Sequence, residues 1–273
     1  MRLLFLGDMV GRSGRTAVYE RLPRLIADHH IDFAIVNGEN AAGGFGVTET
    51  ILTDTLDAGA DVMTTGNHVW DQREALVFAE RQERFLRPAN YPDGTPGRGM
   101  GVFEARNGAR VMVSNLMGRV FMSPDLDDPF VAAERQLDGG RLGRDFDCVV
   151  FDFHAEATSE KVCFAHFVDG RASLVVGTHT HTPTADHTIF DGGTGYISDV
   201  GMCGDYGHSL GMEKEEPLNR FLTKVPRGRF EAATGPATLC GVAVEISDRT
   251  GLCERIAPIR IGPRLEETMP SWW

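Results

Sequence analysis

The sequence is poor in several features that would settle its class at once. No apolar stretch approaches the roughly 20 residues needed to cross a bilayer. The opening run Leu3–Leu6 leads straight into Gly7-Asp8 with no cleavage pattern behind it, so it is no signal-peptide core, and the chain reads as cytoplasmic. The five cysteines (Cys148, Cys163, Cys203, Cys240, Cys253) are scattered and odd in number, without a Cys-x-x-Cys pair. A disulfide framework or zinc knuckle is not expected, and most of these thiols are expected as small core residues. Positive charge is short: 27 Lys+Arg face 39 Asp+Glu, a net −12. Duplex DNA is a poor partner for such a balance, whereas a phosphate-bearing substrate is compatible if cations supply the local charge. Neither a Gly-x-Ser-x-Gly elbow nor a Gly-Lys-Ser/Thr phosphate loop occurs, which removes serine-hydrolase and P-loop readings. Repeats, low-complexity segments and linkers are also missing. At 273 residues the expectation is one domain over 1–273, with 85–145 and 200–235 as insertions or flanking loops.

What is present is a strand–helix alternation. Arg2–Leu6, Ile31–Val36 and Asp61–Thr64 read as short buried strands, separated by helical patterns through Val18, Leu22 and Leu25 and through Ile51, Leu52 and Leu56, the second with Thr48 as N-cap. That order predicts an α/β fold with a parallel sheet and crossover helices. Val102–Glu104 and Arg110–Ser114 flank Asn107-Gly108 and predict a hairpin. Helices are expected around Phe130–Leu137 and Glu156–Phe167. Cys148–Phe153 and Ala172–Val176 are further strands, and Thr184–Phe190, Gly195–Ile197, Thr238–Ile246 and Glu254–Ile261 look antiparallel and locally connected.

The chemistry-bearing residues fall in one kind of place. Asp8, Glu39, Asn67, His154, His179 and His181 each lie at or just beyond the carboxyl end of a predicted strand, the edge where open α/β sheets bind ligands. Taken singly, each has an ordinary reading. Gly7-Asp8 and Gly38-Glu39-Asn40 could be turns, and His68 and His154 could be core histidines. His179-x-His181 would point two imidazoles the same way on extended backbone, suited to zinc, iron, manganese, cobalt or nickel rather than calcium or magnesium. Glu39 has two carboxylate oxygens and could bridge two cations. His187 is read as structural within its strand, and His208 sits in the Gly-rich segment Gly201–Gly211, which could border the site. His29 and His30 end a helix, where a cationic side chain suits the dipole. Trp272-Trp273 would pack on the body or on a neighbouring subunit of a homo-oligomer.

Taken together, the order is specific. Gly7-Asp8-Met9-Val10-Gly11, Asn37-Gly38-Glu39-Asn40-Ala41-Ala42-Gly43-Gly44, Thr65-Gly66-Asn67-His68, Asp152-Phe153-His154-Ala155-Glu156, Gly177-Thr178-His179-Thr180-His181-Thr182-Pro183, Asp199-Val200-Gly201-Met202 and Lys214-Glu215-Glu216-Pro217 resemble the calcineurin-like metallophosphoesterase superfamily, and within it the bacterial YmdB-type branch of phosphodiesterases. The resemblance spans Leu3 to about Pro236. It implies a four-layer α/β/β/α sandwich of mixed sheets with two metals at the carboxyl ends of the strands. Asp8, Glu39, Asn40 and His181 would serve one metal, and Glu39 would bridge to a second held by Asn67, His154 and His179. His68 would donate the proton to the leaving oxygen. Val10 stands where many superfamily members have a histidine, and Glu39 replaces the usual bridging aspartate; by the resemblance, Asn40 would compensate for the first change.

The implied activity is metal-dependent hydrolysis of small phosphodiesters, with 2′,3′-cyclic nucleotides as the substrate class and a hydroxide bridging two cations as nucleophile. The cofactors would be two divalent transition-metal ions, iron or manganese first, zinc or cobalt as alternatives. Two other readings compete: a sensor of phosphorylated ligands with little turnover, and a phosphomonoesterase.

Overall fold

The computed structural model describes residues Met1–Trp273. In chain order the elements are β1 (Arg2–Leu6), β2 (Asp8–Met9), α1 (Gly11–His29), β3 (Phe33–Asn37), α2 (Glu49–Asp57), β4 (Val62–Thr64), α3 (Ala75–Phe78), β5 (Phe85–Leu86), β6 (Met100–Glu104) and β7 (Arg110–Met117). They continue with α4 (Pro129–Asp138), β8 (Cys148–His154), α5 (Thr158–Val168), β9 (Leu174–Thr178), β10 (Thr188–Ile189), β11 (Gly195–Ile197), β12 (Met202–Cys203), α6 (Glu215–Thr223), β13 (Leu239–Ile246) and β14 (Cys253–Ile261).

The strands form two six-stranded mixed sheets, ordered β14-β13-β1-β3-β4-β5 and β10-β11-β9-β8-β7-β6, and a small parallel pair of β12 with β2. In the first sheet β1, β3, β4 and β5 run parallel, with β13 and β14 added antiparallel. In the second, β11, β9, β8 and β7 run parallel between antiparallel edges β10 and β6.

Side-chain alternation along each strand explains why these segments are apolar on both faces. In β1, Leu4 and Leu6 pack with α1 and α2 through Val18, Leu22 and Leu52. Leu3 and Phe5 turn to the other side, where with Phe33, Ile35 and Val62 they meet Val111, Val113, Val150, Leu174 and Val176 of the second sheet. The far face of that sheet, through Val149, Phe151, Phe153 and Val175, packs on Ala133 and Leu137 of α4 and Phe164 and Ala165 of α5.

The same alternation builds a polar end to the inter-sheet layer. Following Cys148 and Val150 on that face of β8 come Asp152 and His154; following Val111 and Val113 of β7 comes Asn115; following Phe33 and Ile35 of β3 comes Asn37. All four are buried. Asn37 Nδ2 donates to Asp152 Oδ2 at 3.0 Å, and Asn115 Oδ1 accepts from the Thr65 amide at 3.3 Å. Asp152, the one aspartate of an otherwise apolar strand, therefore marks where the core turns into a site.

The structure departs from several expectations. Thr184–Phe190 is a strand only at Thr188–Ile189, so His187 lies outside a strand and is exposed rather than structural. Gly195–Ile197 is not antiparallel to its main partner: it runs parallel to β9, because the chain crosses back after β10. β13 and β14 belong to the other sheet altogether. The short elements β2, β5, α3 and β12 carry too few residues for a periodic pattern to show, and α6 lies in a segment expected as a flanking loop. Thr48 does cap α2, accepting from the Ile51 amide at 3.2 Å, and the hairpin of β6 and β7 forms as expected. Four cysteines are buried and Cys163 is exposed. Trp273 packs on the body, stacking on His29 at 5.1 Å between ring centroids. No helix is long and apolar enough to cross a membrane.

One buried ion pair fastens α5 to the carboxyl edge of the second sheet. Lys161 Nζ donates to Asp199 Oδ2 at 3.0 Å and to the Thr178 carbonyl at 2.9 Å. Asp199 also receives the Thr180 and Gly201 amides, each at 2.9 Å. Lys161→Met strands a buried carboxylate and should cost about 3–5 kcal/mol, measured as a fall in the urea midpoint at unchanged slope. Lys161→Met/Asp199→Asn should recover part of that loss.

Candidate metal centre

The two sheets bring Asp8, Glu39, Asn40, Asn67, His154, His179 and His181 to the same edge, with His68 next to Asn67, and leave His208 outside it. Asp8 follows Gly7, where any side chain is impossible: a Cβ would lie 1.8 Å from the Gly201 carbonyl oxygen. Asp8 is in β2, paired with Met202, so the turn reading does not apply to it. Its Oδ2 accepts from the His179 amide at 3.3 Å, while Oδ1 is buried with no hydrogen-bond partner. Glu39, just past β3, is also buried, and its Oε2 also has no hydrogen-bond partner. It lies 3.0 Å from His154 Nε2. Gly66 makes that approach feasible, since a Cβ there would meet Glu39 Oε2 at 1.8 Å and His154 Nε2 at 2.3 Å.

The histidines do not stand on extended backbone as the His-x-His spacing implied. β9 ends at Thr178, and His179 and His181 both adopt positive φ, 98° and 62°. Such conformations cost roughly 1–2 kcal/mol each for a residue with a Cβ. The His179 and Thr180 amides, held by Asp8 and Asp199, help offset that cost. The consequence is that the two rings aim at different partners instead of sharing one direction.

Their partners fix which nitrogen of each ring is bare. His154 Nδ1 lies 2.8 Å from Thr178 Oγ1, whose hydroxyl donates to Asp152 Oδ1 at 2.7 Å; Nδ1 therefore carries the proton. The bare Nε2 faces Glu39 Oε2, Asn67 Oδ1 at 3.1 Å and His179 Nδ1 at 3.1 Å. His179 Nε2 lies 3.2 Å from Glu156 Oε2, a carboxylate that can only accept, so Nδ1 is the bare atom there. His181 Nδ1 donates to the Leu210 carbonyl at 2.9 Å. Its Nε2 faces Asn40 Oδ1 at 3.0 Å, and the Asn40 amide is oriented by donating Nδ2 to the Gly44 carbonyl at 2.9 Å. Asp8 Oδ1 lies 3.9 Å from both His154 Nδ1 and His181 Nε2.

Electrostatics keep the rings neutral. Burial drives His154 well below the ordinary histidine range, His179 down to about 3, and His181 downward. Burial also raises the carboxyls. Asp8 is pushed well up, reinforced by repulsion from Asp199, Glu39 and Asp152. Glu39 is raised by burial, opposed by His68, His179 and His181, and Asp152 is raised to about 7.

Neutral imidazole nitrogens thus point lone pairs at amide and carboxylate oxygens about 3 Å away. Such contacts are repulsive unless a cation lies between them, and the donor set of neutral imidazole, carboxylate and amide oxygen suits divalent transition metals. Two donor groups are present: Glu39, Asn67, His154 and His179, and beside it Asp8, Asn40 and His181. His68 stands apart, partly exposed, with Nδ1 2.8 Å from Asp71 Oδ2 and its ring edge-on to Phe45.

Sequence reasoning missed the partners behind these residues. Thr178, Asp152, Glu156 and Asp199 lay inside quoted motifs without a role, and Lys161 carried no pattern at all. Leu210 acts through a carbonyl, which no side-chain pattern reports. His208 is 3.0 Å from Glu213 Oε2 and groups with Glu213 and Glu215; its loop borders the centre only through Leu210.

Known proteins share this chain's sequence and fold. A 2′,3′-cyclic-nucleotide 2′-phosphodiesterase of Bacillus subtilis (strain 168) is 47% identical over 261 residues, covering 96% of this chain and 97% of that protein. The crystal structure of a hypothetical protein from Thermus thermophilus superposes with a TM-score of 0.88 at 42% identity, covering 96% of this chain and 99% of that one. That of a novel phosphatase from Mycoplasma pneumoniae gives 0.88 at 34%, covering 96% and 93%. Residues 4–259 match the model of the YmdB-like protein family, and the chain belongs to that family.

Proposed function

We propose that the protein is a single-domain, dinuclear-metal phosphodiesterase with 2′,3′-cyclic nucleotides as its substrate class, built as a four-layer α/β/β/α sandwich. The observation that carries the reading is the opposition of bare histidine nitrogens and acceptor oxygens in two adjacent groups. Asp8, Asn40 and His181 would hold one ion, Asn67, His154 and His179 the other, and Glu39, with two oxygens, would bridge them. Iron or manganese fits this donor set first. Two such ions, when bound, supply the charge that neutralises a phosphodiester and the acidity that makes water a nucleophile at neutral pH.

The chain's own residues do the rest. Thr178, Glu156 and the Leu210 carbonyl orient the three rings so that bare nitrogens face inward. Asp71 accepts from His68 Nδ1 and leaves Nε2 as the atom from which a proton would reach the departing alkoxide. The position of His68 beside Asn67, partly exposed, lets a substrate approach it from solvent. A sensor would need the ion-holding groups but no proton donor next to them, so His68 favours turnover.

The decisive assay is hydrolysis of bis-p-nitrophenyl phosphate and 2′,3′-cyclic AMP by metal-stripped protein with and without Mn²⁺ or Fe²⁺. Metal-dependent release of product is expected. His68→Ala should keep its metal and lose about 10²–10⁴-fold in turnover, whereas Glu39→Ala should lose bound metal in elemental analysis. Two equivalents of metal with no turnover of either substrate would favour the sensor instead.

Raised carboxyls make ion binding proton-linked. Asp8 and Glu39 hold protons above the usual carboxylate range and must release them to act as ligands. Apparent metal affinity should therefore rise as pH increases through and above the ordinary carboxylate range, with proton release visible as a buffer-dependent enthalpy in calorimetry. Glu156→Gln should weaken Mn²⁺ affinity by about 10–100-fold without changing far-UV circular dichroism.

A further inference from the structure

Phe121 is a bulky aromatic side chain for which the fold gives no account. It is the most exposed of the large apolar residues, at 88%, and its backbone is left-handed, with φ 63°. That conformation is an outlier for a bulky side chain and natural for glycine or asparagine. It gains nothing from packing, and the backbone does not favour it.

Its location is specific. Met117, the last residue of β7, is in register with His154, and the Gly118 amide donates to the His154 carbonyl at 3.0 Å. The chain then turns over the edge of the sheet, with the Arg119 and Val120 amides donating to Glu160 Oε1 and Oε2 at 2.9 and 3.2 Å. Glu160 is in the first turn of α5, four residues after the Glu156 that holds His179. Arg119 is tied to Asp128 at 2.8 Å. The loop is thus anchored from two sides and presents Phe121 to solvent three residues beyond Gly118, whose amide bonds the His154 carbonyl. Among the other exposed apolar residues, Leu218, Phe221, Leu222 and Val225 belong to α6 and the turn after it, and the rest are spread over the surface, Val120 beside Phe121 included.

We propose that Phe121 is the stacking face for the nucleobase of the substrate, and so a residue that selects nucleotides among phosphodiesters. The inference rests on the phosphodiesterase reading. In a nucleoside cyclic phosphate the base is held one sugar ring away from the phosphate. A base-reading group therefore belongs at the rim of the centre, not among its ion-holding residues. Stacking tolerates any base, because each has a π-face.

The test uses the full-length Mn²⁺-loaded protein and two substrates, 2′,3′-cyclic AMP and the base-free 2′,3′-cyclic phosphate of methyl riboside. The reading is the ratio of kcat/KM for the nucleotide over the base-free compound. Phe121→Ala should lower that ratio about tenfold, mainly through KM for the nucleotide, and Phe121→Trp should restore it. Phe121→Gly should lower the ratio likewise while raising Tm, because glycine relieves the left-handed backbone. A ratio within twofold of wild type in Phe121→Ala overturns the proposal, as would be found if Phe121 served a protein partner. If wild type hydrolyses neither compound, the phosphodiesterase reading fails separately. Calorimetric titration of the nucleotide into metal-loaded protein then decides, a Kd unchanged in Phe121→Ala overturning the stacking role and one about tenfold weaker supporting it.

Discussion

The structure turns on lone pairs held against lone pairs. His154 Nε2 against Glu39 Oε2 and Asn67 Oδ1, and His181 Nε2 against Asn40 Oδ1, are contacts of about 3 Å between atoms that cannot hydrogen-bond to each other once the proton positions are fixed. Each proton position is set by an acceptor outside the group: Thr178 backed by Asp152, the Leu210 carbonyl, and Glu156. Relaxing any one of them would let a ring flip and donate inward, which would be locally more comfortable and would abolish the donor set. The fold spends its polar contacts on preventing that.

The same constraint explains the buried charge. Asp8, Glu39, Asp152 and Asp199 are all buried within one region, with Lys161 the buried cation beside them. Desolvation raises three of those carboxyls, with repulsion from neighbouring carboxylates added at Asp8 and Asp152, so the region is poorly matched to itself and well matched to added positive charge. Polar groups sit here because the inter-sheet layer runs out of apolar side chains at the carboxyl ends of β3, β7 and β8. The scaffold's own alternation, not a separate insertion, delivers Asn37, Asn115, Asp152 and His154 to one place.

Legibility in the sequence followed the reach of each signal. Strands buried on both faces showed as continuous apolar runs, so β1, β3, β8 and β9 were found within a residue or two. Glycine next to Asp8, Glu39 and Asn67 flagged strand ends because close approach there leaves no room for a Cβ. The His179-x-His181 pair was located correctly but its backbone was misread, since two histidines with positive φ have no propensity that announces them. Gly195–Ile197 was found as a strand and given the wrong partner, because pairing is decided by crossovers that three residues cannot encode. The orienting partners were hardest: Leu210 contributes a carbonyl, and Lys161 looks like any surface lysine on a helix until α5 is packed against the sheet.

A net charge of −12 looks unfavourable for an anionic substrate, but the scale of screening argues otherwise. At physiological salt, charges separated by more than about 8 Å of solvent largely cease to matter. What an approaching phosphodiester meets is the local field of the centre, where ions held by Asp8, Glu39 and the histidines would dominate. Such a field attracts any phosphate alike and discriminates poorly between esters. Selection has to come from contacts that do not depend on charge, and the chain offers two bulky apolar residues with left-handed backbone, Phe121 in the loop that leaves β7 past the His154 carbonyl and Leu210 beside His181. Leu210 has a reason for its conformation, since its carbonyl orients a histidine. Phe121 has none within the fold, and the stacking proposal supplies one from outside it.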